Sequence, residues 1–382
     1  MRWRSASAST SECDVELRFN EYTVDLPRPI TTAHGVYRTR AGVLIALRDD
    51  DGAVGYGDAA PLAPFSKESV ADVVKTLRQA GLHGTETLRA ITSAENRQTD
   101  DSAEACLSDL SDDLPSVRFA LDVARIDLAS RKQGLPMACC LAHDPAPHVD
   151  VNGLVDGLDS RKIERHIRDS SQRGFRTFKI KVDHDADAAI ERVLAARDAA
   201  PDAALRVDVN AAWTPAQLRY ALPQLAKLDL EFLEQPLPPG SARDAAGLCR
   251  AHGVRLALDE EITECDDAIR LCEDRLCDVI VLKPMIIGGM MRSLRLIDRA
   301  AGTGMQVVVT STWESDIGVA AAMHLSAAGW PATIAAGLST AGTIGARLVD
   351  RPLLIREGRL KIGNRPGLGV EVVEGFFESG SE

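Results

Sequence analysis

The chain has 382 residues, which suits one large domain with a smaller companion and a substantial core. Hydrophobic residues at 45% and charged residues at 26% describe an ordinary globular protein and exclude a disordered one. A formal net charge of -12 argues against nucleic acid or an anionic membrane surface as partner, and no apolar run reaches membrane-spanning length. Eight cysteines, none in paired CxxC spacing, read as reduced thiols of a cytoplasmic protein.

In chain order, residues 1–14 are rich in Ser and Ala, lack the apolar run of a signal peptide, and read as a disordered leader. Residues 15–135 form the first unit. Val15–Phe19 and Ala41–Leu47 read as strands flanking a polar loop with Thr31, Thr32, His34 and Gly35. Asp49-Asp50-Asp51-Gly52 then turns into Val54–Asp58, which completes an antiparallel meander. Helical patterns follow near Lys67–Ala80 and Ser116–Gln133, with a polar, poorly periodic stretch from Thr85 to Asp112 between them.

The rhythm changes in residues 136–345. Short apolar runs alternate with amphipathic helices at Val149–Val155, Phe178–Val182, Leu205–Asn210, Leu230–Gln235, Val254–Glu260, Val279–Lys283, Gln306–Ser311 and Thr333–Gly337. Such alternation implies a parallel sheet, and this many units favour a closed β/α barrel over an open doubly wound sheet. No GxGxxG follows the first run, which weakens a dinucleotide-binding reading. Residues 346–382, rich in Gly and Pro turns, are expected to pack back on the first unit.

The chemistry gathers at the ends of these strands. Lys179 and Lys181 are two apart on one apolar strand and so share a face, where an ammonium is costly unless paired or used. Asp208, Glu234 and Asp259 each end a successive strand, the place where barrels put their active sites. Three carboxylates converging there would repel one another, and a hard divalent cation resolves this; oxygen ligands with room for water suit Mg²⁺, with Mn²⁺ as substitute. Lys283 lies roughly across the barrel, and two ammonium groups facing one another over a metal are expected to depress each other's pKa towards that of a useful base. This constellation suits removal of a proton α to a carboxylate of a small molecule. Thr310-Ser311-Thr312 reads either as a set of donors to a substrate carboxylate or as plain turn residues. His34, Tyr37, Arg38 and Arg40 read either as a covering loop that meets an anion or as a solvated loop.

Taken together, Lys179-Ile180-Lys181, Asp208 with Asn210, Glu234-Gln235-Pro236, Asp259-Glu260 and Lys283-Pro284 resemble the enolase superfamily, in its muconate-lactonizing-enzyme-like subgroup. The resemblance implies a modified (β/α)7β TIM-like barrel under an α+β N-terminal capping domain. It also implies Mg²⁺ on Asp208, Glu234 and Asp259, with Lys181 as acid/base and Lys179 as its supporting neighbour. Two further stretches, Gly55–Glu68 and Thr310–Gly318, are similar to the o-succinylbenzoate synthase family, although Asp58 and Ala63 stand where that family carries Glu and Pro. Its implied reaction is a syn-dehydration that yields o-succinylbenzoate for menaquinone; Asn210, Ser311, Thr312 and His34 are the candidate substrate contacts. Dipeptide epimerases of the subgroup carry an Asp-x-Asp at strand eight to hold an amine; Ala336–Thr340 has no acid there. Racemization of N-succinylamino acids, and assembly into a homo-oligomer, stay open.

Overall fold

Period-two alternation shapes the first unit. The computed structural model describes residues 15–32, 35–82, 105, 107, 114–157, 159–344 and 347–378. Strand β1 (Val15–Thr32) pairs antiparallel with β2 (Gly35–Asp49), and β2 pairs with β3 (Val54–Ala59). Thr31 and Thr32 therefore belong to a long hairpin and not to the expected loop, because the ladder resumes at Ile30↔Tyr37 after a break beyond Asp25. His34, residues 1–14 and nearly all of the stretch from Thr85 to Asp112 lie outside the described residues.

Helix α1 (Val70–Leu82) precedes α2 (Pro115–Gln133), which starts on a proline and ends on Gly134 at φ 68°. The glycines of β3 are dictated by α2. A Cβ on Gly57 would stand 1.9 Å from the Ala120 carbonyl oxygen, and one on Gly55 would stand 2.1 Å from that of Ala124. Any side chain there would lift the helix off the sheet.

After α3 (Met137–Leu141) and β4 (His148–Asp150) the barrel begins. Its strands are β5 (Gly153–Val155), β6 (Thr177–Lys181), β7 (Ala204–Asp208), β8 (Leu230–Glu234), β9 (Leu256–Leu258), β10 (Val279–Leu282) and β11 (Gln306–Val309). Neighbours pair in sequence order and in parallel. Closure runs through the segment 333–337, which bridges Val307 and Thr310 on one side and Val151 on the other. The helices between the strands are α4 (Ser160–Gln172), α5 (Ala186–Ala199), α6 (Pro215–Leu225), α7 (Ala242–Ala251), α8 (Cys265–Asp274), α9 (Pro284–Ile287), α10 (Met290–Gly302) and α11 (Asp316–Ala328). Phe232, Ala257, Val279, Val281 and Val308 fill the lumen as a cluster separate from the main core, which lies between sheet and helices. The result is a parallel barrel sheet wrapped by helices, capped by an antiparallel sheet.

The last segment returns to the start. Strand β12 (Arg359–Lys361) pairs with β4, Asn20 donates to the Phe376 carbonyl at 2.6 Å, and Tyr56 stacks on Phe377 at 6.2 Å.

Candidate active site

Register places the charged groups. Lys181 pairs with Asp208 across β6 and β7, and Asp208 with Glu234 across β7 and β8, so all three stand at one level at the strands' C-terminal ends. Lys179, one layer lower, pairs with Arg206. Past these ends the backbone turns through left-handed residues, with φ 47° at Asn210 and 36° at Gln235. Gln235 is buried, and its amide oxygen accepts the Asp259 N–H at 3.0 Å, which fixes the third acid after β9. Lys283 directly follows β10, which is separated from β6 by β7, β8 and β9.

One cavity brings these groups together. Lys179, Lys181, Asp208, Glu234, Asp259 and Lys283 all line it, and so do Asn210, Ser311 and Thr312. Lys179 Nζ donates to Glu234 Oε1 at 2.8 Å and stands 2.9 Å from Asp208 Oδ2. The second contact is an ion pair without a directed hydrogen bond, so this buried carboxylate oxygen has no hydrogen-bond partner. Lys181 Nζ donates to Asn210 Oδ1 at 2.7 Å, while Asn210 Nδ2 donates to Glu260 Oε1 at 3.0 Å. Lys283 pairs with Asp259, and its Nζ lies 5.9 Å from the centre of the Phe65 ring.

The electrostatics show a site short of positive charge. Burial, then the neighbouring Asp208, pushes Glu234 up to about 8 even though Lys179 pulls the other way. Burial would also raise Asp208, but Lys179 and Lys181 hold it at about 2. Glu260 is pushed up to about 7 by burial and by Asp259. Burial does work to lower Lys179 and Lys283, and Lys179 does repel Lys283, but the adjacent carboxylates outweigh both and raise the two lysines.

Among the described residues, no three His, Cys, Asp or Glu side chains are already gathered closely enough to hold a metal, because Lys179 stands between Asp208 and Glu234 while Lys283 takes Asp259. The donor set nevertheless fits a hard cation. It consists of carboxylate oxygens, and burial together with the crowding of the acids keeps Glu234 high.

Other expected contacts fare unevenly. Ser311 Oγ shares a 2.7 Å hydrogen bond with Thr340 Oγ1. The Thr312 hydroxyl and N–H both go to Glu314, at 2.5 and 2.7 Å, so neither is a free donor. Tyr37 donates to the Ala63 carbonyl at 2.6 Å. Arg40 is not in a covering loop at all: it sits on β2, 2% exposed, and donates to backbone carbonyls. The reading of the sequence also passed over Arg206 and Asn152. Arg206 is fully buried, donates to Glu231 at 2.6 Å and to Asn152 Oδ1 at 3.1 Å, and lies over the Phe232 ring at 4.9 Å. Its place two residues before Asp208 was the available signal, since that spacing keeps it on the inward face.

Known proteins agree with this architecture. Residues 16–128 match the MenC N-terminal domain family, and residues 162–375 match the family described as Enolase C-terminal domain-like. A hydrophobic dipeptide epimerase of Enterococcus faecalis is 29% identical over 359 residues, covering 91% of this chain and 96% of its own length. An o-succinylbenzoate synthase of Thermobifida fusca is 33% identical over 225 residues, covering 57% and 68%. The crystal structure of the Enterococcus faecalis dipeptide epimerase with Mg and the dipeptide L-Leu-L-Tyr superposes with a TM-score of 0.82 at 25% identity, covering 94% of this chain and 99% of that one. By barrel, cap and family match, the chain belongs to the enolase superfamily.

Proposed function

We propose that the protein is a Mg²⁺-dependent o-succinylbenzoate synthase, which dehydrates a succinyl-substituted hydroxycyclohexadiene carboxylate to the aromatic acid. The observation that carries this reading is the pairing of Lys181 and Lys283 in one acid-lined cavity whose strand-eight wall, Ala336–Thr340, lacks any carboxylate for a substrate amine. The similarity to an o-succinylbenzoate synthase and to the MenC N-terminal domain supports it.

Lys181, from β6, removes the proton α to the ring carboxylate. The electron pair of that C–H bond becomes the new ring double bond, and the C–O bond breaks. Lys181 returns the proton to the departing hydroxide, so water leaves from the same face. Asn210, held by Glu260, receives the Lys181 ammonium and fixes its direction. Lys283, from the far side of the barrel, faces the other side of the ring with fixed positive charge. Lys179 keeps Asp208 and Glu234 compensated from below. Asp208, Glu234 and Asp259 would hold Mg²⁺, which supplies Lewis-acid stabilisation of charge developing on the substrate carboxylate. Aromatization favours the elimination, so placement matters more than acid/base strength.

A second reading is racemization or epimerization by 1,1-proton transfer, with Lys181 and Lys283 as bases on opposite faces. The nearly full-length similarity to a dipeptide epimerase favours it. A Mg²⁺-dependent assay in D₂O decides between the two, with the cyclohexadiene acid, N-succinylamino acids and hydrophobic dipeptides offered in parallel. The dehydratase reading expects aromatic product at the highest kcat/KM. Deuterium washed into an amino-acid or dipeptide substrate, without aromatic product, would sink it.

A further inference from the structure

The wall of the cavity that carries Thr312 and Trp313 belongs to the barrel, yet it is held in place by the cap. Arg40 of β2 is 2% exposed, and among the described residues every hydrogen bond it makes runs to a backbone carbonyl. Its Nε donates to the Trp313 carbonyl at 2.9 Å and its Nη2 reaches that of Thr312 at 3.4 Å. The rest of the guanidinium holds the cap itself, through the carbonyls of Ala60, Pro61 and Ala41. Beside it, the fully buried Asp58 accepts the Ser315 N–H at 2.7 Å and the Tyr22 hydroxyl at 3.0 Å. Between these two anchors Trp313 has φ 63°, a left-handed conformation that a tryptophan does not choose unaided. The same loop sets Thr312 and Trp313 into the cavity that contains Lys283.

We propose that Arg40 is a positioning residue for substrate: with Asp58 and Tyr22 it pins Trp313 in the left-handed conformation, so that the cap shapes one wall of the barrel's pocket. The inference rests on the reading of this cavity as the substrate site. A lysine at position 40 would keep the charge but lose the planar fork that reaches barrel and cap carbonyls at once. The latch makes no contact with the proton-transfer groups, so it acts on binding and not on the chemical step.

The test measures KM and kcat on whichever acid the D₂O panel shows is turned over, so loss of the dehydratase reading leaves it intact. Arg40→Lys is expected to raise KM about tenfold while kcat stays within about threefold. Glycine adopts the left-handed conformation without strain, so in a Trp313→Gly background the same Arg40→Lys change should shift KM by less than about threefold. Equal effects in both backgrounds, or no change in KM, overturn the proposal. If Arg40→Lys does not fold, Tyr22→Phe, which loosens Asp58 alone, should raise KM in the same direction, and an unchanged KM there overturns it as well. Trp313 emission, taken as the difference from Trp313→Phe, reads the loop without turnover. A red shift in Arg40→Lys is expected, and an unchanged spectrum counts against the latch.

Discussion

The mouth of the barrel and the seam between cap and barrel are both full of buried charge, but they satisfy it differently. At the seam, Asp127 on α2 accepts the Tyr56 N–H at 2.9 Å, the Leu368 N–H at 2.7 Å and the Arg131 Nε–H at 2.9 Å, so both oxygens are used. Asp122 likewise accepts the first N–H groups of α10, those of Met290 and Met291, at 2.6 and 3.1 Å. At the mouth, Glu260 Oε2 is buried without a hydrogen-bond partner, Asp208 Oδ2 meets only lysine ammonium groups, and Glu234 is pushed up to about 8. Asp127 and Asp122 hold elements together, whereas the carboxyls crowded at the mouth, kept there at a cost, mark chemistry.

The sharpest way to break this contrast is Lys181→Ala. It should lower kcat about 10³-fold, the scale of a lost acid/base group, while the melting temperature stays near that of the wild type. Near-normal turnover would remove Lys181 from the mechanism. At the seam the opposite outcome is expected. Asp127→Ala strands the Tyr56 and Leu368 N–H groups and leaves Arg131 only Glu371 and the Val370 carbonyl, and should cost about 4 kcal/mol in urea unfolding, with kcat kept in the folded fraction. A loss under about 1 kcal/mol would show that the seam is no better satisfied than the mouth. Next in size is the response to Mg²⁺. At about a hundred times its Kd the ion should stabilise the wild type by about 3 kcal/mol. Glu234→Gln should abolish that gain without lowering the metal-free melting temperature, and a retained gain would exclude Glu234 as a ligand.

Much of the mouth was legible because strand period and barrel topology act locally. Two-residue spacing put Lys179 and Lys181 on one face, and the ends of consecutive strands put Asp208, Glu234 and Asp259 side by side. The seam was hardly legible. Arg40 looks like any charged residue of a polar hairpin, and what buries it are carbonyls of Ala60 and Trp313 that only the fold brings near. The same holds for Thr312, whose hydroxyl is taken by Glu314 two residues on. The rise of Lys179 and Lys283 was illegible for a related reason: repulsion between ammonium groups can be counted from the sequence, but not how closely the carboxylates approach them.

The smallest expected effect tests whether the seam also answers to pH. His324 on α11 is 2% exposed; its Nδ1 accepts the Ala138 N–H at 3.1 Å, and its Nε2 faces the Leu368 carbonyl at 3.2 Å. Those partners require the neutral ring with its proton on Nε2, since a second proton would meet the Ala138 N–H head on. Burial accordingly pushes the imidazole down to about 4 from 6.5, against the pull of the Leu368 carbonyl. Between those values the unfolded chain binds more protons than the folded one, so stability falls as pH falls. The contribution is intact above pH 6.5 and dwindles towards pH 4. Acidification to about pH 5 should cost about 2 kcal/mol through this group. Asp127, pushed up to about 6 by burial, works in the opposite sense, so the measure is the difference between wild type and His324→Gln and not the raw curve. If urea unfolding of the two proteins changes in parallel from pH 7 to 5, the ring is not held neutral and His324 adds no pH sensitivity to the seam.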